Sequence, residues 1–248
     1  MLIGILLAVV AGFVVTQAAM FATTMYLHRG ITHRALVAHP VLAFACRFGL
    51  WITTGMRPRE WAAVHRRHHA ATDTPEDPHS PVQSGFWRVQ LLNAVMYRRV
   101  ARDGVTVERY ARDLPPDRFD RLLFDHAWLG LGLGVTVLCA LFGWVFGPWG
   151  ILLGFLAAAV HAVGYLGLSG AVNAVGHTFG RRPNPNSATN GWLLALLTWG
   201  EGLHNNHHDR PTAARFSRRW FQIDHAWWGI RMLTWLRLVR LRRMRVNG

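Results

Sequence analysis

Residues 35–56, ALVAHPVLAFACRFGLWITTGM, read either as a membrane span or as a helix lying along the membrane surface, and the rest of the chain arranges itself around that choice. The stretch is hydrophobic enough to cross. Pro40 and Arg47 argue against it, because an arginine at mid-bilayer is costly whereas a helix in the interface lets its guanidinium reach water. Histidines add a topological constraint: His28 and His33 precede the stretch, His65, His68 and His69 follow it, and a crossing would set the two groups on opposite faces. A half-buried helix along the surface keeps them together.

Other segments satisfy the length of a span, about 20 apolar residues. Residues 2–27 are uncharged, and they lack both the positive start and the small-residue cleavage site of a signal peptide, ending instead in Tyr26-Leu27-His28. They read as a retained helix that delivers His28 to the membrane surface. A second uncharged run, Ala127 to Ala174, is interrupted by Gly147-Pro148-Trp149-Gly150, which predicts an antiparallel pair over about 127–147 and 150–174. The expectation is an all-α integral membrane protein, a single domain over 1–248, with about three transmembrane helices and an interfacial helix at 35–56.

Charge sets the orientation. All 27 lysine-plus-arginine positions are arginine, none before Arg29 and none between Arg121 and Arg181, so positive charge flanks the spans on one side only. By the positive-inside rule residues 28–126 and 175–248 form a cytoplasmic cap, and the N-terminus lies outside. The net charge of +14 is then largely a juxtamembrane layer facing anionic headgroups. No nucleic-acid-binding motif accompanies it, which excludes that class of partner. Residues 217–245, rich in Trp and Arg, read as an interfacial helix offering headgroup contacts or a docking face for an acidic electron-transfer partner. Cys46 and Cys139 lack the spacing of a redox or zinc pair and read as packing residues. Arginine without lysine fits a high-GC bacterium, hence an inner membrane.

Nine of the 14 histidines gather in four clusters: His28 and His33; His65, His68 and His69; His177, four residues after Asn173; and His204, His207 and His208. Imidazole binds first-row transition metals, and nine on one membrane face point to a site for more than one ion. His65, His68 and His69 are i, i+3 and i+4 on a helix, and the last cluster repeats that spacing. The i, i+5 separation of His28 and His33 is about 140° on an α-helix, which predicts an end or bend at Gly30. His39, His79, His126, His161 and His225 stand outside the set; His161, inside a span, is expected to make an interhelical hydrogen bond.

The runs His28-Arg29-Gly30-Ile31-Thr32-His33, His65-Arg66-Arg67-His68-His69, Asn173-Ala174-Val175-Gly176-His177 and His204-Asn205-Asn206-His207-His208 resemble the histidine boxes of membrane fatty acid desaturases, most nearly the stearoyl-CoA or acyl-CoA Δ9 type. Asp73, Asp77-Pro78-His79-Ser80 and Trp199-Gly200-Glu201-Gly202 extend the likeness over nearly the whole chain. The resemblance implies two irons held by the nine histidines, with Asn173 holding a metal-bound water. It also implies O2-dependent insertion of a cis double bond into a saturated acyl chain, acyl-CoA favoured. Family members usually carry a membrane hairpin before the first box, whereas residues 1–27 leave room for one span. Nothing in the sequence resembles a fused cytochrome b5-like domain, so electrons are expected from a separate cytochrome b5-like protein, ferredoxin or rubredoxin with its reductase.

The chemistry suits the ligands. Taking hydrogens from unactivated methylenes needs an oxidant beyond any side chain, which points to iron and O2. Asp73, Asp77 and Glu201 are candidates to orient imidazole N–H groups. The same boxes occur in membrane hydroxylases, the alternative reading. A metal transporter would need polar groups through the spans, and only His161, Thr136, Ser169 and a few others are available.

Overall fold

Leu2–Ala22 forms α1 because its 21 residues are apolar and free of proline, and the helix continues from Thr23 to Thr32 with π-helical winding, whose bonds reach back five residues as from His33 N–H to His28 O. The computed structural model describes residues 1–242. The chain continues through strand β1 (Leu36–Ala38), α2 (Pro40–Thr54), α3 (Pro58–Ala70), α4 (Pro81–Ser84), α5 (Phe86–Ala101) and α6 (Gly104–Ala111). A π turn at Asp120–Phe124 leads into α7 (Ala127–Phe146) and α8 (Pro148–Thr178), and α9 (Trp192–Leu197), α10 (His204–Asp209), α11 (His225–Trp235) and β2 (Val239–Leu241) complete it.

Among the described residues three helices are long and apolar enough to cross a membrane: Leu2–Thr32, Ala127–Phe146 and Pro148–Thr178. At about 1.5 Å per residue α7 measures about 30 Å, the thickness of the hydrocarbon, whereas the other two overshoot it by about 15 Å. Contacts locate the surplus. Cβ atoms built at Gly150 and Gly154 would meet Phe142 and Cys139 of α7, and one built at Gly4 would meet Leu153 of α8, so α1 runs parallel to α8 and their C-termini project past the start of α7. Those projecting ends carry His28 and His177.

The helix within 35–56, about 22 Å long at about 1.5 Å per residue, is shorter than the hydrocarbon is thick. It covers only Pro40–Thr54, and Gly55, in the left-handed region at φ 65°, turns the chain back into α3. The C-terminal turn of α2 seats on the first two turns of α7: a Cβ at Gly134 would lie 2.1 Å from the Ile52 carbonyl oxygen, so only glycine permits the approach. The C-terminal end of α2 is thereby fixed against α7, with Gly130 meeting Trp51 in the same way. His161 anchors it, donating from Nε2 to the Thr53 carbonyl at 2.8 Å while Nδ1 lies 3.1 Å from Thr16 Oγ1. That is the interhelical bond expected of it.

Four expectations need correction. Arg47 does not reach for water: Asp117 and Asp120 hold it, each at 2.6 Å, over the Phe124 ring. Two short stretches are not helical, since Leu36–Ala38 pairs antiparallel with Val239–Leu241, tying the 35–56 region to the C-terminal segment, so the fold is helical with one small sheet. Within 217–245 the helix is confined to His225–Trp235, and residues 243–245 lie outside the described residues. The first helix neither ends nor bends at Gly30 but runs on to Thr32.

Candidate metal centre

The π winding of the first helix resolves the spacing of its histidines. With i→i+5 hydrogen bonds, including His33 N to His28 O at 3.0 Å, residues five apart fall on nearly one face. His28 and His33 thus point the same way, their ring centroids 4.9 Å apart. α3 brings His65, His68 and His69, α8 brings Asn173 and His177, and α10 brings His204, His207 and His208.

The nine histidines converge as two adjoining groups, His28, His33, His65, His69 and His207 in one, His68, His177, His204 and His208 in the other. The division cuts through the sequence clusters, and helix geometry explains how. Residues i and i+4 are about 40° apart, while i+3 turns off by about 100° from i+4. In α3 the pair His65 and His69 goes to the first group and His68 to the second; in α10 the pair His204 and His208 goes to the second and His207 to the first. The two helices exchange one ligand each.

Carboxylates fix three of the rings. Nδ1–H of His28 donates to Glu201 Oε2 at 2.7 Å, that of His68 to both oxygens of Asp77 at 3.0 Å, and that of His177 to Asp73 Oδ2 at 3.0 Å. A proton on Nδ1 leaves a lone pair on Nε2, aimed into the cluster. There the Nε2 atoms crowd: His207 lies 3.0 Å from His28 and 2.9 Å from His69, His65 lies 3.1 Å from His33, and His208 lies 3.3 Å from His68 and 3.2 Å from His204. His177 Nε2 is buried without a hydrogen-bond partner. Converging lone pairs repel unless a cation sits among them, so the donor set fits bound metal.

The electrostatics agree. Burial first, then the neighbouring imidazoles, push His33, His65, His69, His204, His207 and His208 well below the ordinary histidine range, so these rings are neutral and able to coordinate. Burial alone would raise Asp73 and Asp77, but the bonds from His177, Ser187 and Ser80 to Asp73, and from His68 and the His79 N–H to Asp77, outweigh it and hold both carboxyls ionised.

Asn173 sits one turn before His177, its Nδ2 donating to Asn93 Oδ1 at 3.4 Å. His79, set outside the cluster on its sequence position, is buried against His68 with ring centroids 4.9 Å apart, no partner on either nitrogen, and burial holding it neutral down to about pH 3. It groups with His68 and Asp77. Sequence reasoning also missed Arg29, whose guanidinium, wholly buried, pairs with Asp224 at 2.9 Å and stacks on Phe216, 3.9 Å from the ring centre. Its place beside His28 was the available signal. His39, His126 and His225 lie outside the two groups.

Comparison with known proteins adds to this geometry. A family model described as fatty acid desaturase matches residues 3–239. An acyl-CoA C20 Delta5-desaturase of Anemone leveillei is 35% identical over 221 residues, spanning 88% of this chain and 68% of that protein. An sn-1 stearoyl-lipid 9-desaturase of a Synechocystis strain is 32% identical over 232 residues, 88% of this chain and 65% of its own length. An sn-2 palmitoyl-lipid 9-desaturase of a Nostoc strain is 32% identical over 217 residues, 86% of this chain and 73% of its own. The chain thus spans about two thirds to three quarters of the length of these relatives.

Proposed function

The chain belongs to the fatty acid desaturase family, and from that premise we propose that it introduces a cis double bond, at Δ9, into a saturated fatty acyl chain, acyl-CoA being the favoured form. The balance is one acyl chain, one O2, two electrons and two protons giving one unsaturated chain and two waters. Two irons bound by the nine histidines supply the activation of O2. The observation that carries this reading is the convergence of His28, His33, His65, His69 and His207 beside His68, His177, His204 and His208 at the projecting ends of two membrane-length helices.

The residues of this chain have distinct duties in that reading. Glu201, Asp77 and Asp73 lock the tautomers of His28, His68 and His177 and hold their lone pairs inward. Asn173 contributes its side-chain amide beside His177 as a tenth participant, holding a bound water. Burial keeps the remaining imidazoles neutral. The cluster faces the cytoplasm of a bacterial inner membrane, where an external protein supplies electrons, and residues 1–248 act as one domain.

Expression in a desaturase-deficient host, with fatty acids analysed by mass spectrometry, tests the function. A new double bond supports it. A hydroxylated chain moves the assignment to the hydroxylase reading, and an unaltered profile with iron bound refutes both. Feeding acyl-CoA, acyl-carrier-protein and lipid-bound substrate separately to purified protein identifies the carrier.

A further inference from the structure

The segment after α10 brings the protein surface close to the histidine cluster. Phe216 is buried with its ring 4.7 Å from His207 and 5.7 Å from His28, centre to centre. The Phe216 and Ser217 N–H groups both donate to Asp224 Oδ2, at 2.6 and 3.3 Å, which fixes the ring against His207. On either side of it the chain is exposed: Arg215 immediately before, Arg218, Arg219, Trp220 and Phe221 after. One side chain thus separates solvent-facing residues from a cluster histidine.

The chemistry of that surface is specific. Residues 209–219 hold four arginines against one aspartate, Asp209, which Arg218 engages at 2.8 Å. Arg215 and Arg219 have no carboxylate partner among the described residues, and Trp220 is 94% exposed. Guanidinium groups without a carboxylate partner, beside exposed aromatic rings, are what a protein interface uses as anchors; Arg215 donates only to Ser217 Oγ, at 2.9 Å.

Position along the first helix favours a protein over a lipid partner. Phe216 packs at the level of His28, six residues beyond the end of α1 along the continuing helix. α11 lies beside the membrane-length part of that helix, where Gly229 packs on Phe21 of α1 and Trp228, Met232 and Trp235 are exposed apolar side chains. We infer that the surface formed by Arg210, Arg215, Arg218, Arg219, Trp220 and Phe221 docks an acidic one-electron carrier protein, setting its redox group against Phe216 and His207. The inference rests on the proposed desaturation, whose two electrons would arrive in two dockings, one carrier molecule being oxidised in each.

The test is binding of an acidic plant-type [2Fe–2S] ferredoxin to the full-length protein in nanodiscs, by surface plasmon resonance at low and high salt. Arg215→Glu/Arg219→Glu should weaken binding roughly tenfold or more at low salt, the difference shrinking as salt screens the charges. Arg99→Glu/Arg102→Glu, exposed on and after α5, should leave binding unchanged. The ratio of ferredoxin-driven to dithionite-driven turnover should fall with the first variant alone. The inference is overturned if both pairs weaken binding equally, if neither does, if the wild type does not bind ferredoxin, or if the Arg215/Arg219 pair alters only stability in anionic against zwitterionic nanodiscs. Absence of unsaturated product with dithionite in the wild type would instead count against the desaturase assignment, and the binding result would still stand.

Discussion

Asp77→Asn isolates the part played by the carboxylates around the histidines. The Asp77 carboxylate is wholly buried and accepts from three donors: His68 Nδ1–H spans both oxygens at 3.0 Å, the Asp73 N–H reaches Oδ2 at 2.8 Å, and the His79 N–H reaches Oδ1 at 3.0 Å. Asparagine has the same shape but one accepting atom. Whichever way its amide turns, the NH2 group faces a backbone N–H, leaving a buried donor unsatisfied at about 1–3 kcal/mol. The bond from His68 also loses its charged acceptor, so a neutral amide oxygen holds the Nδ1 proton less firmly. Loss of such an orienting partner typically costs 10–100-fold in metal affinity, about 1.4–2.7 kcal/mol. Competition with a chelator, read as iron per chain, should show a drop in that range, with product formation falling in parallel. Iron affinity within about threefold of wild type would refute the orienting role.

Other predictions follow from packing and burial. Gly134→Ala drives a methyl into the Ile52 carbonyl and should destabilise the protein by about 1–3 kcal/mol in detergent unfolding, whereas Gly132→Ala, with open space around it, should not. Arg29→Met leaves Asp224 buried beside its missing partner and should cost about 3–5 kcal/mol, part of it recovered in Arg29→Met/Asp224→Asn; equal losses would mean the charge pairing is immaterial. His33, His65, His69, His204, His207 and His208 have folded values below the unfolded one of about 6.5, so the unfolded chain takes up protons first as pH falls. The melting temperature of the iron-free protein should therefore hold above about pH 7 and decline below about 6.5. A melting temperature that stays flat or increases as the pH falls below about 6.5 would contradict the neutral state of the cluster.

The long apolar helices and the histidine-bearing helices were legible because both depend on local periodicity and run length. His65, His68 and His69 fall on α3, and His204, His207 and His208 on α10, with the spacings that helical geometry imposes. The three membrane-length helices follow from uncharged runs. What escaped depends on partners distant in sequence. Arg47 finds Asp117 and Asp120 some 70 residues away, and Leu36–Ala38 extends only because Val239–Leu241 lies beside it. The π winding at Thr23–Thr32 leaves no mark in residue pattern, so the i, i+5 spacing of His28 and His33 reads as a bend when it is a change of helical pitch. Likewise the division into five and four histidines emerges only when α3 and α10 face each other, each sending its i+3 histidine into the other group.

Diffraction from crystals of the iron-loaded protein, collected at the iron absorption edge, tests the central claim most directly. Two anomalous peaks are expected, one among His28, His33, His65, His69 and His207 and the other among His68, His177, His204 and His208. A single peak, or none within reach of these nine imidazoles, would contradict a two-iron centre.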